Sequence, residues 1–136
     1  METKVVWDGK MQFTGTTPSN FNIVMDAVPE HGGENKGPAP MELIPVALGG
    51  CTGMDVISIL NKMKEKVEHF EMRITTERAT EHPKVYTKVH IEYIFKGENL
   101  NEENIKKAIE LSQNKYCSVS AILRGTAEVT YSYKIL

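Results

Sequence analysis

Apolar residues recur along this chain with two different spacings, and the change between them lays out the elements. Residues 4–7 and 10–14 alternate apolar and polar with a period of two, which is the spacing of a half-buried strand. Asp8-Gly9 lies between them and predicts a hairpin. Residues 21–27 alternate again, with Phe21, Ile23 and Met25 on one side, and predict a third strand after a turn at residues 16–20. The longest apolar stretch follows, from Pro38 to Val67, and there the spacing becomes helical: Leu43, Ala47, Cys51, Met54 and Ser58 fall on one face. Val56, Ile59, Leu60 and Met63 widen that surface, so most of this helix is expected to be buried. Pro40 suits a first turn, whereas Pro45 predicts a short helix, a kink and a longer helix.

Two long alternating runs come next, Phe70 to Thr76 and Val85 to Phe95, and predict a long antiparallel hairpin. Arg73, Glu77, Lys88 and Glu92 are expected on its solvent side. Residues 101–111 form an amphipathic helix with Asn101 as its cap, two acids in its first turn, and Ile105, Ala108, Ile109 and Leu111 as its inner stripe. Lys115 to Arg124 predicts a second short helix, ended by Gly125, and residues 126–135 a last strand. The order β-β-β-α-α-β-β-α-β predicts an α+β domain spanning residues 1–136, with antiparallel sheets and apolar central helices. Helices this apolar need more cover than one small sheet gives, and a homodimer that buries them supplies it.

Composition narrows the function. The 136 residues are 40% hydrophobic and 25% charged, with a net charge of −2, which fits a globular protein and argues against a nucleic-acid partner. No uninterrupted apolar run is read as reaching the ~20 residues of a membrane helix, and the N-terminal residues lack the apolar core of a signal peptide. A cytoplasmic location and no membrane partner are therefore expected. Trp7 is read as a core or interface aromatic. The loop from Pro29 to Pro40 reads equally as a solvated connector or as a cover for the central helix.

The candidate chemistry lies with two cysteines, Cys51 and Cys117. They are too far apart for a CxxC motif, and the four histidines form no ligand spacing with them, so neither a metal nor another cofactor is expected from spacing. Gly49, Gly50 and Gly53 surround Cys51 and point to a close approach by another backbone or a ligand. Asp55 lies four residues after Cys51 on the same helical face, where an ionised carboxylate raises a thiol pKa. Its alternative role is a structural hydrogen bond to a segment across the dimer.

Two motifs carry a resemblance. Pro40-Met-Glu-Leu-Ile-Pro-Val-Ala-Leu-Gly-Gly-Cys51 is similar to the Asn-Pro-Glu-x-Leu-x-x-Ala-x-x-x-Cys run of the OsmC/Ohr family, the osmotically induced and organic hydroperoxide resistance proteins. Cys117-Ser-Val-Ser-Ala resembles that family's Cys-Pro-x-Ser run. The Pro-Met-Glu-Leu and Gly-Gly-Cys-Thr segments look closest to the YhfA-like branch. The resemblance implies an OsmC-like fold, an intertwined homodimer, and two thiols at each active site. It also implies that Cys51 attacks a peroxide and forms a sulfenic acid, that Cys117 resolves it to a disulfide, and that a dithiol reductant restores the pair. The chain departs from the pattern at two points. Met41 stands where catalytic members have Glu, with Glu42 one residue on and turned roughly 100° away on a helix. No Arg precedes Arg73, so Lys36 or Lys10 is left as the candidate cation, without the forked guanidinium that pairs with Glu. Glu42, Asp55 and Lys36 are thus the candidate supporting residues.

Three functions remain open on this reading. The chain is a cysteine-based peroxidase for organic hydroperoxides, favoured for greasy substrates by the apolar helix; a dimeric binding protein for an apolar small molecule; or a thiol redox sensor. Cys51 is expected to be the more reactive thiol, because it is read as lying close to a helix start.

Overall fold

The computed structural model describes all residues from Met1 to Leu136, in two compact units, Met1–Ile44 and Pro45–Leu136. In the first unit three strands, β1 (Lys4–Gly9), β2 (Gln12–Thr16) and β3 (Asn22–Met25), form an antiparallel meander in the order β1-β2-β3. The expected hairpin is present, but its tip has moved on by one residue. Lys10 and Met11 make the loop, Lys10 at φ 52°, and Gly9 at φ 105° stands in a bulge that shifts the register after Trp7. The loop that follows β3 is folded around Asp26. This buried carboxylate accepts the N–H groups of Ala27 (2.7 Å), Glu34 (3.4 Å) and Lys36 (3.2 Å). Those bonds, Ala27's first, hold its pKa below the ordinary carboxylate value.

The chain then makes a single 3-10 turn, Pro40–Glu42, and enters α1 (Leu43–Lys62). No kinked pair of helices forms. Pro45 falls in the first turn of α1, where its missing N–H has no intrahelical acceptor to lose. The run Pro40–Lys62 is long and apolar enough to cross a membrane, contrary to the expectation from the sequence; core helices of soluble proteins have the same length and composition.

The second unit is built on β4 (Lys66–Arg78) and β5 (Tyr86–Glu98), the expected long hairpin, with β6 (Glu128–Ile135) on the far side of β5. The α+β class holds, but the last strand pairs differently from expectation: β6 runs parallel to β5, while β4 and β5 are antiparallel. A parallel neighbour needs a long crossover, and α2 (Glu102–Leu111), a π-helical turn (Ser112–Tyr116) and α3 (Ser118–Leu123) provide it. Asn101 caps α2 as expected, accepting from the N–H groups of Glu103 and Asn104.

Strand β5 is the core of this unit. Val89, Ile91, Tyr93 and Phe95 alternate inward and are all buried, with Phe95 stacked on Phe70 at 4.6 Å between ring centroids. Helix α1 buries Leu48, Thr52, Val56 and Leu60, a stripe of four-residue steps; Val56 and Leu60 were expected there, but Ala47 and Met54 of the expected face stand exposed. Gly49 and Gly53 explain which face wins. A Cβ on Gly49 would lie 3.2 Å from the Ile74 side chain, and one on Gly53 would lie 3.0 Å from that of Met72, so α1 rests close on β4 along this line. The glycines around Cys51 therefore serve packing against the strand's side chains, while Gly50 faces open space. On the opposite face Val46 and Met54 stand exposed.

Candidate functional site: two thiols and a carboxylate

The inner stripe of α2 continues past its end. Ile105, Ala108 and Ile109 are followed, at the same spacing, by Ser112 and Gln113, which are also fully buried. Polar side chains at core positions need partners, and the π-helical turn supplies the geometry. It closes with the Cys117 N–H donating to the Ser112 carbonyl at 2.7 Å, which places Cys117 at the cap of α3. The same turn lays Ser112 against α1.

Cys51, Asp55 and Cys117 meet there. Their sulfur and carboxylate atoms all lie within 4.8 Å of one another, and both cysteines are free. Cys51 and Asp55 share a face of α1 one turn apart, as their spacing predicts, and both are half-buried; Cys117 is only 4% exposed. Asp55 accepts a hydrogen bond from Ser112 of the same chain at 2.9 Å on its Oδ2.

A directed chain of hydrogen bonds extends from this carboxylate. Ser112 gives its hydroxyl proton to Asp55, so Thr52 must be the donor in its 2.7 Å contact with Ser112. Tyr93 must then donate to Thr52 at 2.6 Å, while the Gln113 amide N–H groups donate to Tyr93 and Thr52. The Gln113 carbonyl accepts from Ser120 at 2.6 Å and from Arg124 at 3.1 Å, which fixes the orientation of the amide. Every proton in the chain points from the Arg124 cation toward Asp55. No buried side-chain nitrogen or oxygen lacks a partner. Burial raises the pKa of Tyr93 to about 12, so it keeps its proton at neutral pH.

Opposed effects act on Cys117. Burial pushes its pKa up, and the Ser120 N–H, donated to the sulfur at 3.4 Å, pulls it down. Its hydrogen bond with Cys51 and the charges of Cys51 and Asp55 push it up again, and the sum places it at about 11. Cys117 therefore rests as a thiol. Cys51 is the ninth residue of α1, counted from Leu43, whereas the field of a helix end is confined to its first turn. The reason given above for its reactivity thus fails. Its greater exposure is what sets it apart from Cys117.

The other candidates are engaged within the Met1–Ile44 unit. Glu42 is exposed and accepts the Ala39 N–H at 2.9 Å, capping its own turn. Lys36 and Lys10 both pair with Glu34, at 3.7 and 3.3 Å. Sequence reasoning missed Thr52, Tyr93, Ser112, Gln113, Ser120 and Arg124. Ser112 and Gln113 gave a signal, since they are polar residues at apolar positions of the helical repeat.

Comparison with known proteins identifies the family and the fold. The profile of the family described as OsmC-like protein matches residues 33–132. The protein YhfA of Escherichia coli strain K12 is 35% identical over 136 residues, covering all of this chain and 98% of that protein. A hypothetical protein from Aquifex aeolicus VF5 superposes with a TM-score of 0.81 at 30% identity, over 99% of this chain and 96% of the other. An organic hydroperoxide resistance protein OsmC from Legionella pneumophila, described also as a predicted redox protein, shares the fold with a TM-score of 0.69 at 17% identity, over 98% and 95% of the two chains. The chain belongs to the OsmC-like family.

Proposed function

We propose that this protein is a thiol-based peroxidase that reduces organic hydroperoxides with Cys51 as the attacking residue and Cys117 as the resolving one. The observation that carries the reading is the meeting of two free sulfurs within 4.8 Å, one half-buried and one held as a thiol. The Cys51 thiolate attacks the hydroperoxide oxygen, the O–O bond breaks, and the alcohol leaves with a proton. Cys117 then attacks the Cys51 sulfenic acid, a disulfide forms and water leaves. Each turnover thus consumes two thiols and one hydroperoxide and gives one disulfide, one alcohol and one water. A dithiol reductant returns the pair to the starting state, and the steps themselves call for no cofactor. An apolar substrate suits the cleft of about 490 Å³ beside the site, walled by Met54, Ile59 and Tyr116 as well as Asp55, Ser58 and Lys62. The description of the Legionella relative supports the same chemistry.

The working unit in this reading is a homodimer in the cytoplasm. Val46, Met54 and Ile122 of the second unit are 69, 73 and 76% exposed, and Trp7 and Phe21 of the first are 62 and 70% exposed. Apolar surface on this scale calls for cover. Asp55 favours a second reading, a slower thiol–disulfide sensor, because it lies beside both sulfurs, its charge helps to raise the pKa of Cys117, and none of the chain's ion pairs neutralises it. Trapping separates the two. Cys117→Ser protein treated with cumene hydroperoxide should give a dimedone adduct at Cys51. If Cys51 stays unoxidised over hours while the wild type still forms its disulfide with diamide, the sensor reading replaces the peroxidase.

A further inference from the structure

We propose that the reduced site is also a binding site for a thiophilic divalent cation of the zinc type, ligated by Cys51, Cys117 and the Asp55 carboxylate. The linear spacing of these residues conceals the set; the fold assembles it from α1 and the cap of α3. Two sulfurs and one oxygen on a tetrahedral Zn²⁺, at about 2.3 and 2.1 Å from the metal, stand roughly 3.5–3.8 Å apart. The three donor atoms already lie within 4.8 Å of one another, so contraction by at most about 1.3 Å closes the site. The ligand types fit as well: soft thiolates select zinc-like cations over magnesium or calcium.

A second observation points the same way. Asp55 is held from behind. Ser112 donates to its Oδ2 at 2.9 Å, and Thr52 and Tyr93 fix Ser112 in turn. Hydrogen bonds of this kind orient the carboxylate ligands of metal centres. The hydrogen-bond relay ends at Arg124, far enough along that no cation sits on the carboxylate itself as an ion pair. Three protein ligands leave a fourth position open, the arrangement of sites that exchange or activate a ligand. Asp55 also lines the 490 Å³ cleft, which gives that position access to small molecules.

Metal binding must displace the thiol protons. Affinity should therefore rise by about ten- to 100-fold per pH unit near neutrality, as one or two protons are released. Zinc and disulfide exclude each other, since both use the two sulfurs. The proposal does not rest on the peroxidase reading, because the test below contains no peroxide.

Cobalt(II) is the probe. Reduced, metal-free protein titrated with Co²⁺ should reach one ion per chain, with a sulfur-to-cobalt charge-transfer band in the near ultraviolet and visible bands of tetrahedral intensity. Stoichiometric Zn²⁺ should abolish both. Cys51→Ser and Cys117→Ser should each reduce the charge-transfer band, and Asp55→Asn should weaken Co²⁺ binding at least tenfold. Circular dichroism on each variant separates lost ligation from lost folding, and Asp55→Glu, which keeps the carboxylate, should retain part of the affinity. An absent charge-transfer band in folded wild-type protein overturns the proposal. Affinity in folded Asp55→Asn equal to that of the wild type overturns the assignment of the carboxylate.

Discussion

At the scale of single residues, the balance on Cys117 decides the chemistry. A helix cap and a backbone N–H ordinarily favour a thiolate, yet burial outweighs them and the thiol rests at about 11. This gives a pH signature. A folded-state pKa raised above the unfolded value adds stability that is complete below the unfolded value and is lost as the pH climbs to the folded one. The unfolded value is near 9.0, so stability should fall between about pH 9 and 11, by at most about 1.4 kcal/mol per pH unit. Urea unfolding of the wild type against Cys117→Ser isolates the effect from other groups that titrate there: the difference between the two proteins should shrink across that window. A difference independent of pH would show that Cys117 is not perturbed. The sequence singled out Cys51 and Cys117 as candidates through the two motifs that surround them. Their meeting with Asp55 was visible only in half, since one turn of helix predicts the Cys51–Asp55 neighbourhood but nothing local predicts Cys117.

At the scale of elements, alternation and helical spacing located every strand and the two long helices, because each element carries its own period. Besides the kink expected at Pro45 and the position of the first hairpin's tip, two features escaped. The parallel pairing of β6 with β5 is a long-range choice, and the alternation of Val129, Tyr131 and Tyr133 is the same for either direction. The buried face of α1 escaped because the helix is apolar nearly all round. Only the small size of Gly49 and Gly53 marks the side that rests on β4. That account predicts opposite outcomes for two neighbouring glycines. Gly53→Val should cost about 1–3 kcal/mol, since the added atoms meet Met72 and Phe70. Gly50→Ala, which meets nothing within 4 Å, should be neutral or stabilise by up to about 1 kcal/mol through helix propensity. Denaturant midpoints measure both, and equal destabilisation would show that the wrong face has been assigned to the sheet.

At the scale of the whole molecule, the exposed apolar surface makes the homodimer a prediction with a sharp readout. Sedimentation at micromolar concentration should give twice the mass of the 15.3 kDa chain, and Met54→Glu should shift it toward the monomer. A stable wild-type monomer would leave that surface without the cover proposed for it. The central claim remains that Cys51 and Cys117 are a working redox pair, and peptide mapping tests it most directly. Reduced wild-type protein given one equivalent of cumene hydroperoxide should lose two thiols per chain and yield one intramolecular Cys51–Cys117 disulfide, with cumyl alcohol formed in equal amount. Recovery of both cysteines as free thiols with the hydroperoxide unconsumed would contradict the account.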